Sequence, residues 1–275
     1  MFLDLGERKL DLRQPKIMGV LNMTPDSFSD GGKYLSVDDA FSACVEMVKE
    51  GASIIDIGGE STRPGASEVS SEQQLDRVIP IILKVKQNLD TIISIDSGNA
   101  AVIKEATYNG AEIVNDVFAL TKKNAITEVS KAHTAVCLMH MKGKPLSMQD
   151  QPIYNDLLDE IKTFLDDRVN KCIAAGIKRN SIIIDPGFGF GKTVSDNLIL
   201  LKNLRAFAEL KIPICIGLSR KSFIGEVTNR SIDQRVSGSL SAALIAIQNG
   251  ANIIRTHDVG PTKDAIEIYN SLQRV

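Results

Sequence analysis

The sequence predicts a (β/α)8 TIM barrel preceded by a short β-hairpin. Eight short apolar runs alternate with eight segments of helical periodicity, and the length of 275 residues is usual for this fold. Each run also ends on polar or charged residues. Because parallel strands closed into a barrel place all their carboxyl ends on one rim, those polar side chains should converge there.

The predicted strands share one pattern, in which an apolar stretch leads to one or more reactive side chains. In chain order they are IMGVLN, SIIDIGGEST, TIISID, EIVND, AVCLMH, SIIID, PICIGLSRK and NIIRTH. Their polar ends are Asn22, then Glu60, Ser61 and Thr62, then Asp96, then Asn115 and Asp116, then His140, then Asp185, then Ser219, Arg220 and Lys221, and finally Arg255 and His257.

Helical periodicity fills the segments between these runs. The first is SVDDAFSACVEMVKEGA, whose end is marked by Gly51. In the second, SSEQQLDRVIPIILKVKQNL, Ser71 and Gln74 predict a capping box, and Pro80 indicates a kink or an early end. The others are NAAVIKEATYNG, NAITEVSKAH, DLLDEIKTFLDDRVNKCIAAG, SDNLILLKNLRAFAE, SGSLSAALIAIQNG and PTKDAIEIYNSLQ.

A doubly wound parallel sheet shares this alternation and is the alternative fold. The eight units and the chain length favour the barrel. Before the first strand, MFLDLGERKLDLRQP predicts a hairpin that turns at Gly6 and Glu7 and should close the bottom of the barrel. No linker or low-complexity tract interrupts the sequence, so one domain over residues 1–275 is expected.

Composition is that of an ordinary globular chain, with 43% hydrophobic and 24% charged residues and a net charge of -2. It has no basic stripe that would favour nucleic acid. The apolar segments fall short of the roughly 18 residues of a membrane span. Because the N-terminus also lacks a signal-sequence pattern, a cytoplasmic location is expected. The four cysteines form no C-x-x-C pair, which predicts buried free thiols rather than a disulfide or a zinc site.

The loops after the first two strands have compositions suited to closing over and holding a ligand. NMTPDSFSDGG contains Phe28 and Asp30 before two glycines that can act as a hinge, which favours a lid over an ordinary surface loop. GGESTRPGA combines glycines, hydroxyls and Arg63, which together can cradle phosphate oxygens. A plain polar turn is the alternative for this second loop.

Three strand ends, at Asp96, Asn115 and Asp185, predict a site for one flat, nitrogen-rich ligand. Carboxylates and amides suit the donors and acceptors along a heterocycle's edge. Taken singly, each could instead be a helix cap or a turn residue. The glycines of DPGFGFGKT lack the spacing of a phosphate-binding P-loop, so Phe188 and Phe190 indicate an aromatic wall or a packed turn.

The loops after the seventh and eighth strands, GLSRKSFIG and RTHDVG, lie where barrel enzymes frequently bind phosphate. They carry Lys221, Arg255 and His257. The other two histidines have weaker claims, because His133 is expected near a helix end and His140 can satisfy a hydrogen bond on the rim.

With these motifs assembled, the chain closely resembles the dihydropteroate synthase family of pterin-binding enzymes. The resemblance is carried, in order, by NMTPDSFSDGG, GGESTRPGA, SID, IVNDV, HMKGKP followed by MQ, DPGFGFGK, GLSRKSFIG and RTHDV. These segments run from Asn22 to Val259 and cover nearly the whole chain.

The resemblance implies a transferase that condenses 6-hydroxymethyl-7,8-dihydropterin diphosphate with 4-aminobenzoate. The products would be 7,8-dihydropteroate and pyrophosphate, within folate biosynthesis. It further implies Mg²⁺ as cofactor, a homodimer, and sulfonamides that compete for the aminobenzoate site.

Residue roles follow from the resemblance in the same way. The implied pterin-binding residues are Asp96, Asn115, Met139, Asp185, Lys221 and Arg255. Those for the diphosphate are Asn22, Thr62, Arg63, Arg255 and His257, with Asn22 also the ligand of Mg²⁺. The aminobenzoate pocket would comprise Phe28, Thr62, Pro64, Phe190, Lys221 and Ser222. The catalytic set would be Asp96, Asp185, Lys221, Asp30 and Arg63, the last two pairing across the mouth of the closed site.

One departure from the family pattern follows Asp96. Members often have threonine next and a basic residue shortly beyond, where this chain has Ser97, Gly98 and Asn99. Two other functions stay open as alternatives. A pterin-dependent methyltransferase on the same barrel would need neither a diphosphate cradle nor a long lid, and a non-catalytic pterin-binding relative would not need Lys221 or Arg255. The sequence retains all of these features.

Overall fold

The computed structural model describes residues 1–24, 36–60, 69–143, 148 and 152–275. It begins with an antiparallel hairpin of β1 (Phe2–Asp4) and β2 (Lys9–Asp11). Eight further strands then form one parallel sheet. They are β3 (Lys16–Asn22), β4 (Ile54–Gly58), β5 (Ile92–Asp96), β6 (Ile113–Asp116), β7 (Ala135–Met139), β8 (Ile182–Asp185), β9 (Cys215–Gly217) and β10 (Ile253–Thr256).

The parallel sheet closes into a barrel, which confirms the predicted fold and excludes the doubly wound alternative. The hydrogen-bonded order is β8-β7-β6-β5-β4-β3-β10-β9. A parallel bridge pairs Ile184 of β8 with Ile214, the residue before β9. The N–H of Ile184 also donates to the carbonyl of Pro213 at 2.9 Å, so the two ends of the sheet meet.

Helices follow the barrel strands and pack around them. They are α1 (Val37–Lys49), α2 (Ser71–Asn88), α3 (Ala100–Tyr108), α4 (Ala125–Ala132), α5 (Leu157–Ala174), α6 (Val194–Lys202), α7 (Ser222–Thr228), α8 (Val236–Gln248) and α9 (Val259–Leu272). The short helix α7 was not predicted. His133 caps the end of α4 in a left-handed conformation, as expected of a residue near a helix end.

The predicted capping box of α2 is one residue out of position, and of the two alternatives predicted for Pro80, a kink or an early end, the early end is wrong. The capping box of α2 is formed by Ser70 and Gln73, one residue earlier than predicted, because Ser70 has the extended backbone that an N-cap requires. Gln74 instead points inward and donates to Glu60 at 3.1 Å. The helix continues through Pro80 to Asn88 rather than ending early.

The hairpin closes the amino-terminal end of the barrel, as predicted. Four of its leucines are buried in one cluster with residues from the barrel interior. The leucines are Leu3, Leu5, Leu10 and Leu12, and the barrel residues are Met18, Ile54, Ile92, Ile113, Ala135, Cys137, Ile183, Cys215 and Ile253. The lower half of the barrel is therefore a packed apolar core.

Leu3→Ala should lower the free energy of unfolding by about 2–5 kcal/mol, the usual cost of removing a buried leucine side chain. Leu3 is 0% exposed. Urea unfolding measures the change, and Phe2→Ala is the matched control because Phe2 is 51% exposed on the same strand. Equal losses of unfolding free energy in the two variants would contradict the packing of the hairpin leucines against the barrel interior.

The remaining core lies between the barrel and its helices. All four cysteines, Cys44, Cys137, Cys172 and Cys215, are free and buried, which confirms their predicted role as packed thiols. Among the described residues, no helix combines the length and apolar character needed to cross a membrane.

Candidate active site

The strand alternation places a polar layer inside the barrel above the apolar plug. Successive side chains on a strand point to opposite faces. Positions two and four residues beyond a barrel residue that packs against the hairpin therefore also face the interior. Beyond Ile92 these positions are Ser94 and Asp96, and beyond Ile54 the first is Asp56. The polar layer therefore opens at the carboxyl ends of the strands.

An ion-pair cluster built on Arg255 occupies the centre of this layer. Its Nε donates to Oδ2 of Asp56 at 2.7 Å, and its Nη2 donates to Oδ2 of Asp96 at 2.8 Å. Asp56 is 0% exposed and Asp96 is 8% exposed. Asn115 joins the cluster by donating from Nδ2 to Asp56 at 2.9 Å. Four strands thus contribute one hydrogen-bonded group.

The cluster shifts the proton affinities of its members. Burial raises the pKa of Asp96 to about 7, against the lowering effect of Arg255 and with a further rise from Asp56. Burial lowers the pKa of Arg255, but the charges of Asp56 and Asp96 raise it by more, so the net shift is upward. The guanidinium therefore stays charged, and Asp96 can exchange a proton near neutral pH.

A second group surrounds Asp185 on the opposite side of the rim. Asp185 accepts a hydrogen bond from the N–H of Gly187 at 2.7 Å, and burial raises its pKa. Lys221 donates from Nζ to the carbonyl of Phe188, and the same nitrogen lies 4.2 Å from the centre of the Phe190 ring. Burial lowers the pKa of Lys221 to about 8, an effect that the charge of Asp185 opposes.

In the glycine-rich loop after β8, Phe188 forms the predicted packed turn and Phe190 forms the predicted aromatic wall. Phe188 is fully buried and stacks near Phe223, with 6.4 Å between ring centres. Phe190 is half-buried beneath the Lys221 ammonium. Gly187 is required in the turn, because its φ is +73° and a Cβ there would lie 1.9 Å from the carbonyl oxygen of His140.

A buried lysine holds this loop in place. The Nζ of Lys192 donates to the carbonyls of Gly187 at 2.9 Å and Phe190 at 3.1 Å. It also lies 3.1 Å from Nδ1 of His140. Burial, with the charges of Lys192 and Lys142, lowers the pKa of His140 to about 2, so the neutral ring can accept the third ammonium hydrogen. All three donors of the ammonium are thereby used.

Lys192→Met should lower the free energy of unfolding by about 3 kcal/mol or more, because each buried acceptor left without a donor costs about 1–3 kcal/mol. Thermal and urea unfolding measure the loss. Lys202→Met, at the exposed end of α6, is the control and should have little effect. If the two variants were equally stable, the hydrogen bonds of the Lys192 ammonium would contribute nothing to stability.

Comparisons with known proteins decide the family. The pterin binding enzyme family matches residues 18–257. The chain belongs to this family. It is 47% identical over 271 residues to dihydropteroate synthase of Haemophilus influenzae, and the match covers 98% of each chain.

Solved structures agree with this assignment. The chain matches the Yersinia pestis dihydropteroate synthase with a sulfonamide drug complex at a TM-score of 0.97 and 44% identity, over 100% of both chains. It matches the Xanthomonas albilineans dihydropteroate synthase in complex with 7,8-dihydropteroate at 0.91 and 39%, again over 100% of both. Within the pterin-binding enzymes, the chain therefore falls among the dihydropteroate synthases, which are transferases.

Most residues assigned from the dihydropteroate synthase pattern surround the barrel mouth. Met139 ends β7 and pairs in register with Asp185. Asn22 ends β3, and its side chain makes no hydrogen bond to any described residue. His257 is exposed after β10 and lies beside Ser219, with 3.1 Å between Nδ1 and Oγ. Ser222 is the first residue of α7 and is exposed.

Five predicted site residues lie outside the described residues. They are Phe28, Asp30, Thr62, Arg63 and Pro64. The proposed lid, the cradle around Arg63 and the pairing of Asp30 with Arg63 stay predictions for this reason.

The departure from the dihydropteroate synthase pattern after Asp96 has a local physical reason. A Cβ on Gly98 would lie 2.5 Å from Oδ1 of Asp116, so the chain there needs a residue without a side chain. Asn99 caps α3 by accepting the N–H of Ala101 at 2.9 Å. Ser97 donates to Oε1 of Gln74 at 3.1 Å. The three residues therefore form a helix start, and Asp96 keeps its place on the rim.

Sequence reasoning missed Asp56 and Lys192. Asp56 lies in the middle of β4, within the apolar run SIIDIG, whereas the predicted polar end of this strand comprised the residues after that run. A lone charge at an inward strand position was the available signal, since a buried charge requires partners. Lys192 follows the three glycines of DPGFGFGK, where the prediction rested on the spacing of those glycines and on Phe188 and Phe190 between them.

Proposed function

We propose that this chain is an active dihydropteroate synthase. It transfers the pterinylmethyl group of 6-hydroxymethyl-7,8-dihydropterin diphosphate to the amine of 4-aminobenzoate, giving 7,8-dihydropteroate and pyrophosphate. The convergence of Asp96, Asn115 and Asp185 beside Lys221 and Arg255 supports the proposal most directly. These groups offer acceptors for a pterin edge and cations for an anionic leaving group in one enclosed mouth.

Recognition of the pterin rests on its ring nitrogens and amino group. Asp96 and Asp185 are 8% and 6% exposed, so each presents a carboxylate edge to the barrel mouth while the rest of the residue is enclosed. Asn115, 6% exposed, adds a carboxamide between them. A hydrogen bond to a buried carboxylate discriminates strongly, because a ligand without the matching donor leaves the charge unpaired. Met139 supplies an apolar contact at the edge.

The reaction breaks the bond between the pterin methylene carbon and the diphosphate oxygen. Positive charge develops on the pterin and negative charge on the leaving group, so the site must stabilise both. The carboxylates of Asp96 and Asp185 favour the cationic pterin. Arg255, held by ion pairs on one side, can direct its remaining guanidinium donors to the phosphate oxygens together with His257.

The amine of 4-aminobenzoate then forms a bond to the same methylene carbon. Its nitrogen gives up one proton, and pyrophosphate carries away the electron pair of the broken C–O bond. Phe190 and the Lys221 ammonium form one side of the described mouth, with an aromatic face and a cation suited to an aromatic carboxylate. Ser222 adjoins Lys221 and can add a hydroxyl donor. Sulfonamides, which share the aniline group, are expected to compete there.

Asn22 is the described residue suited to Mg²⁺, which prefers oxygen ligands and commonly keeps substrate phosphates and waters. A Cβ on Gly58 would lie 3.6 Å from Asn22 Oδ1 and 3.8 Å from Asp96 Oδ2, so glycine leaves open the space between these oxygens. No group of three or more His, Cys, Asp or Glu suited to a metal occurs among the described residues. When bound, the ion would neutralise diphosphate charge, while Asn22 would hold it above β3.

The lid and the remainder of the pocket complete the proposal. Phe28, Thr62 and Pro64 would enclose 4-aminobenzoate, and an Asp30–Arg63 pair would exclude water from the reactive cation. Arg63 and Thr62 would also bind the diphosphate. A homodimer in the cytoplasm is the expected assembly and location.

The test is incubation of the protein with the pterin diphosphate, 4-aminobenzoate and Mg²⁺ while pyrophosphate release is followed. Release that requires both substrates is expected. Omission of 4-aminobenzoate is the control for simple hydrolysis. Pterin binding without release would favour the non-catalytic alternative, whereas methyl transfer from a methylated folate to a corrinoid would favour the methyltransferase.

A further inference from the structure

We propose that Asp56 is a positioning residue for pterin recognition, which fixes the orientation of the Asn115 carboxamide and retains Arg255 when Asp96 engages the substrate. The inference rests on the proposed function for the identity of the ligand. It assigns a role to a carboxylate whose side chain has no exposed surface.

Asp56 is enclosed on every side by donors from other strands. Its Oδ1 accepts the hydroxyl of Ser94 on β5 at 2.6 Å. Its Oδ2 accepts Nδ2 of Asn115 on β6 at 2.9 Å and Nε of Arg255 on β10 at 2.7 Å. The side chain has no exposed surface. An ionised carboxylate can occupy such a place only with donors of this kind.

The first consequence concerns Asn115. A carboxamide has an oxygen that accepts and a nitrogen that donates, and the two ends look alike in size. Because the Asp56 carboxylate only accepts, the nitrogen end must face it, and the oxygen end is turned away. Asp56 therefore selects which end of Asn115 is free to read the pterin. A pterin amino group can donate to that oxygen.

The second consequence concerns Arg255. Its guanidinium bridges Asp56 and the rim residue Asp96, at 2.7 and 2.8 Å. A pterin that donates to Asp96 competes for the oxygens that Arg255 now uses. Since Asp56 lies deeper and has no exposed surface, the ligand cannot compete for it in the same way. Arg255 would thus stay anchored through Nε while its Nη groups adjust to substrate.

Charge balance supports this role. Asp56 has no exposed surface and pairs with Arg255 at 2.7 Å. Removing the charge of Asp56 would leave the guanidinium of Arg255 with Asp96 as its remaining ion-pair partner, so its positive charge would be less compensated beside a substrate that becomes cationic during the reaction. The effect should therefore be larger on pterin chemistry than on the binding of 4-aminobenzoate.

Asp56→Asn is the variant to test, because it keeps the shape and removes the charge. We expect a 6-hydroxymethylpterin probe to bind about tenfold more weakly or worse, the effect of losing a hydrogen-bonded buried charge. The KM for the pterin diphosphate should rise and kcat should fall, while the KM for 4-aminobenzoate stays unchanged. Unaltered pterin affinity in folded Asp56→Asn would overturn the inference.

Asp116→Asn is the matched control. Asp116 is equally buried and lies on β6 next to Asn115, but it accepts the N–H groups of Phe118 and Leu120 at 2.8 and 2.7 Å. Its loss should lower the melting temperature without raising the KM for the pterin substrate. Equal KM changes in Asp116→Asn and Asp56→Asn would mean that general destabilisation explains both.

A double-mutant comparison checks that Asp56 acts through its partner. In an Asn115→Ala background, Asp56→Asn should weaken the pterin probe less than it does in the wild-type background. Fully additive losses would show that Asp56 does not act through Asn115 and would remove that part of the inference.

Exchange of the Asn115 side-chain amide with solvent gives an answer even if Asp56→Asn does not fold. In the wild-type protein, its NMR signal, assigned by its loss in Asn115→Ala, should stay protected with and without the pterin probe. Fast exchange in either state would contradict the fixed orientation. Failure of wild-type protein to bind the probe at all would instead count against the proposed function.

Discussion

Asp185→Asn is expected to weaken binding of a pterin analogue by about 2–5 kcal/mol, the range for mispairing a buried charged partner. The substitution keeps the size of the side chain but replaces one acceptor oxygen with a donor. Asp185 is 6% exposed, and one of its oxygens already accepts the N–H of Gly187 at 2.7 Å. An amide there must either lose that bond or present its NH2 group to the donor edge of the pterin.

Calorimetry with the analogue measures this loss, and Asp196→Asn is its control. Asp196 lies just beyond the same loop, where it completes the capping box of α6 by accepting the N–H of Thr193 at 2.9 Å. Its substitution should leave pterin affinity unchanged. If Asp185→Asn bound the analogue as well as the wild type does, Asp185 would not belong to the pterin site.

The barrel was predictable because the signal is repeated eight times. Each strand is a short apolar run bounded by polar residues, and an error in one would leave the others intact. The hairpin was predictable for a similar reason, since Leu3, Leu5, Leu10 and Leu12 alternate around the turn at Gly6 and reappear in one buried cluster. Periodicity of this kind is a local property of the chain.

Helix ends were less predictable, and the segment after α6 shows why. SDNLILLKNLRAFAE predicts one helix, but α6 ends at Lys202 and a 3-10 helix spans Leu204–Leu210. Leu204, Phe207 and Leu210, all buried, recur every third residue, which suits the 3.0 residues per turn of a 3-10 helix. Over so short a stretch, this spacing also fits an α-helix.

The rim residues were predictable from strand ends, whereas their deeper supports were not. Asp96, Asn115 and Asp185 each end a run or nearly so, and the barrel brings them together. Asp56 and Arg255 are separated by 199 positions, and no local pattern relates them. Only the strand order of the folded sheet, in which β3 lies between β4 and β10, places side chains of β4, β5, β6 and β10 around one carboxylate.

Arg255→Ala tests the energetics of the buried ion-pair cluster around Asp56. It leaves the carboxylates of Asp56 and Asp96 without their shared cation, at 0% and 8% exposure. At neutral pH we expect the free energy of unfolding to fall by about 3–5 kcal/mol, the usual result of removing one partner from a buried ion pair. Pyrophosphate binding should also weaken, because Arg255 is a proposed diphosphate ligand.

The loss should depend on pH in a defined direction. Burial already raises the pKa of Asp96 to about 7 in the folded protein, above its ordinary value of 3.8. Between these values the folded state binds more protons than the unfolded state, so stability falls as pH rises. Because Arg255 opposes this rise, its removal should move the folded pKa of Asp96 still higher and steepen the fall. The variant should therefore lie nearest to the wild type at about pH 4–5 and furthest from it above about pH 7.

Urea unfolding at pH 5 and pH 8 measures how the stability loss depends on pH, with the wild type, Arg255→Ala and a control variant compared at each pH. Arg13→Ala is the control, because Arg13 pairs with Asp11 at 2.6 Å on the surface, where an ion pair contributes little. Its loss should also be the same at both pH values, because Arg13 lowers the pKa of Asp11 to about 2 and this carboxylate is ionised at pH 5 and at pH 8. An equal loss for Arg255→Ala at both pH values would mean that its carboxylate partners do not take up protons when it is gone, and the cluster would owe its stability to packing rather than to charge.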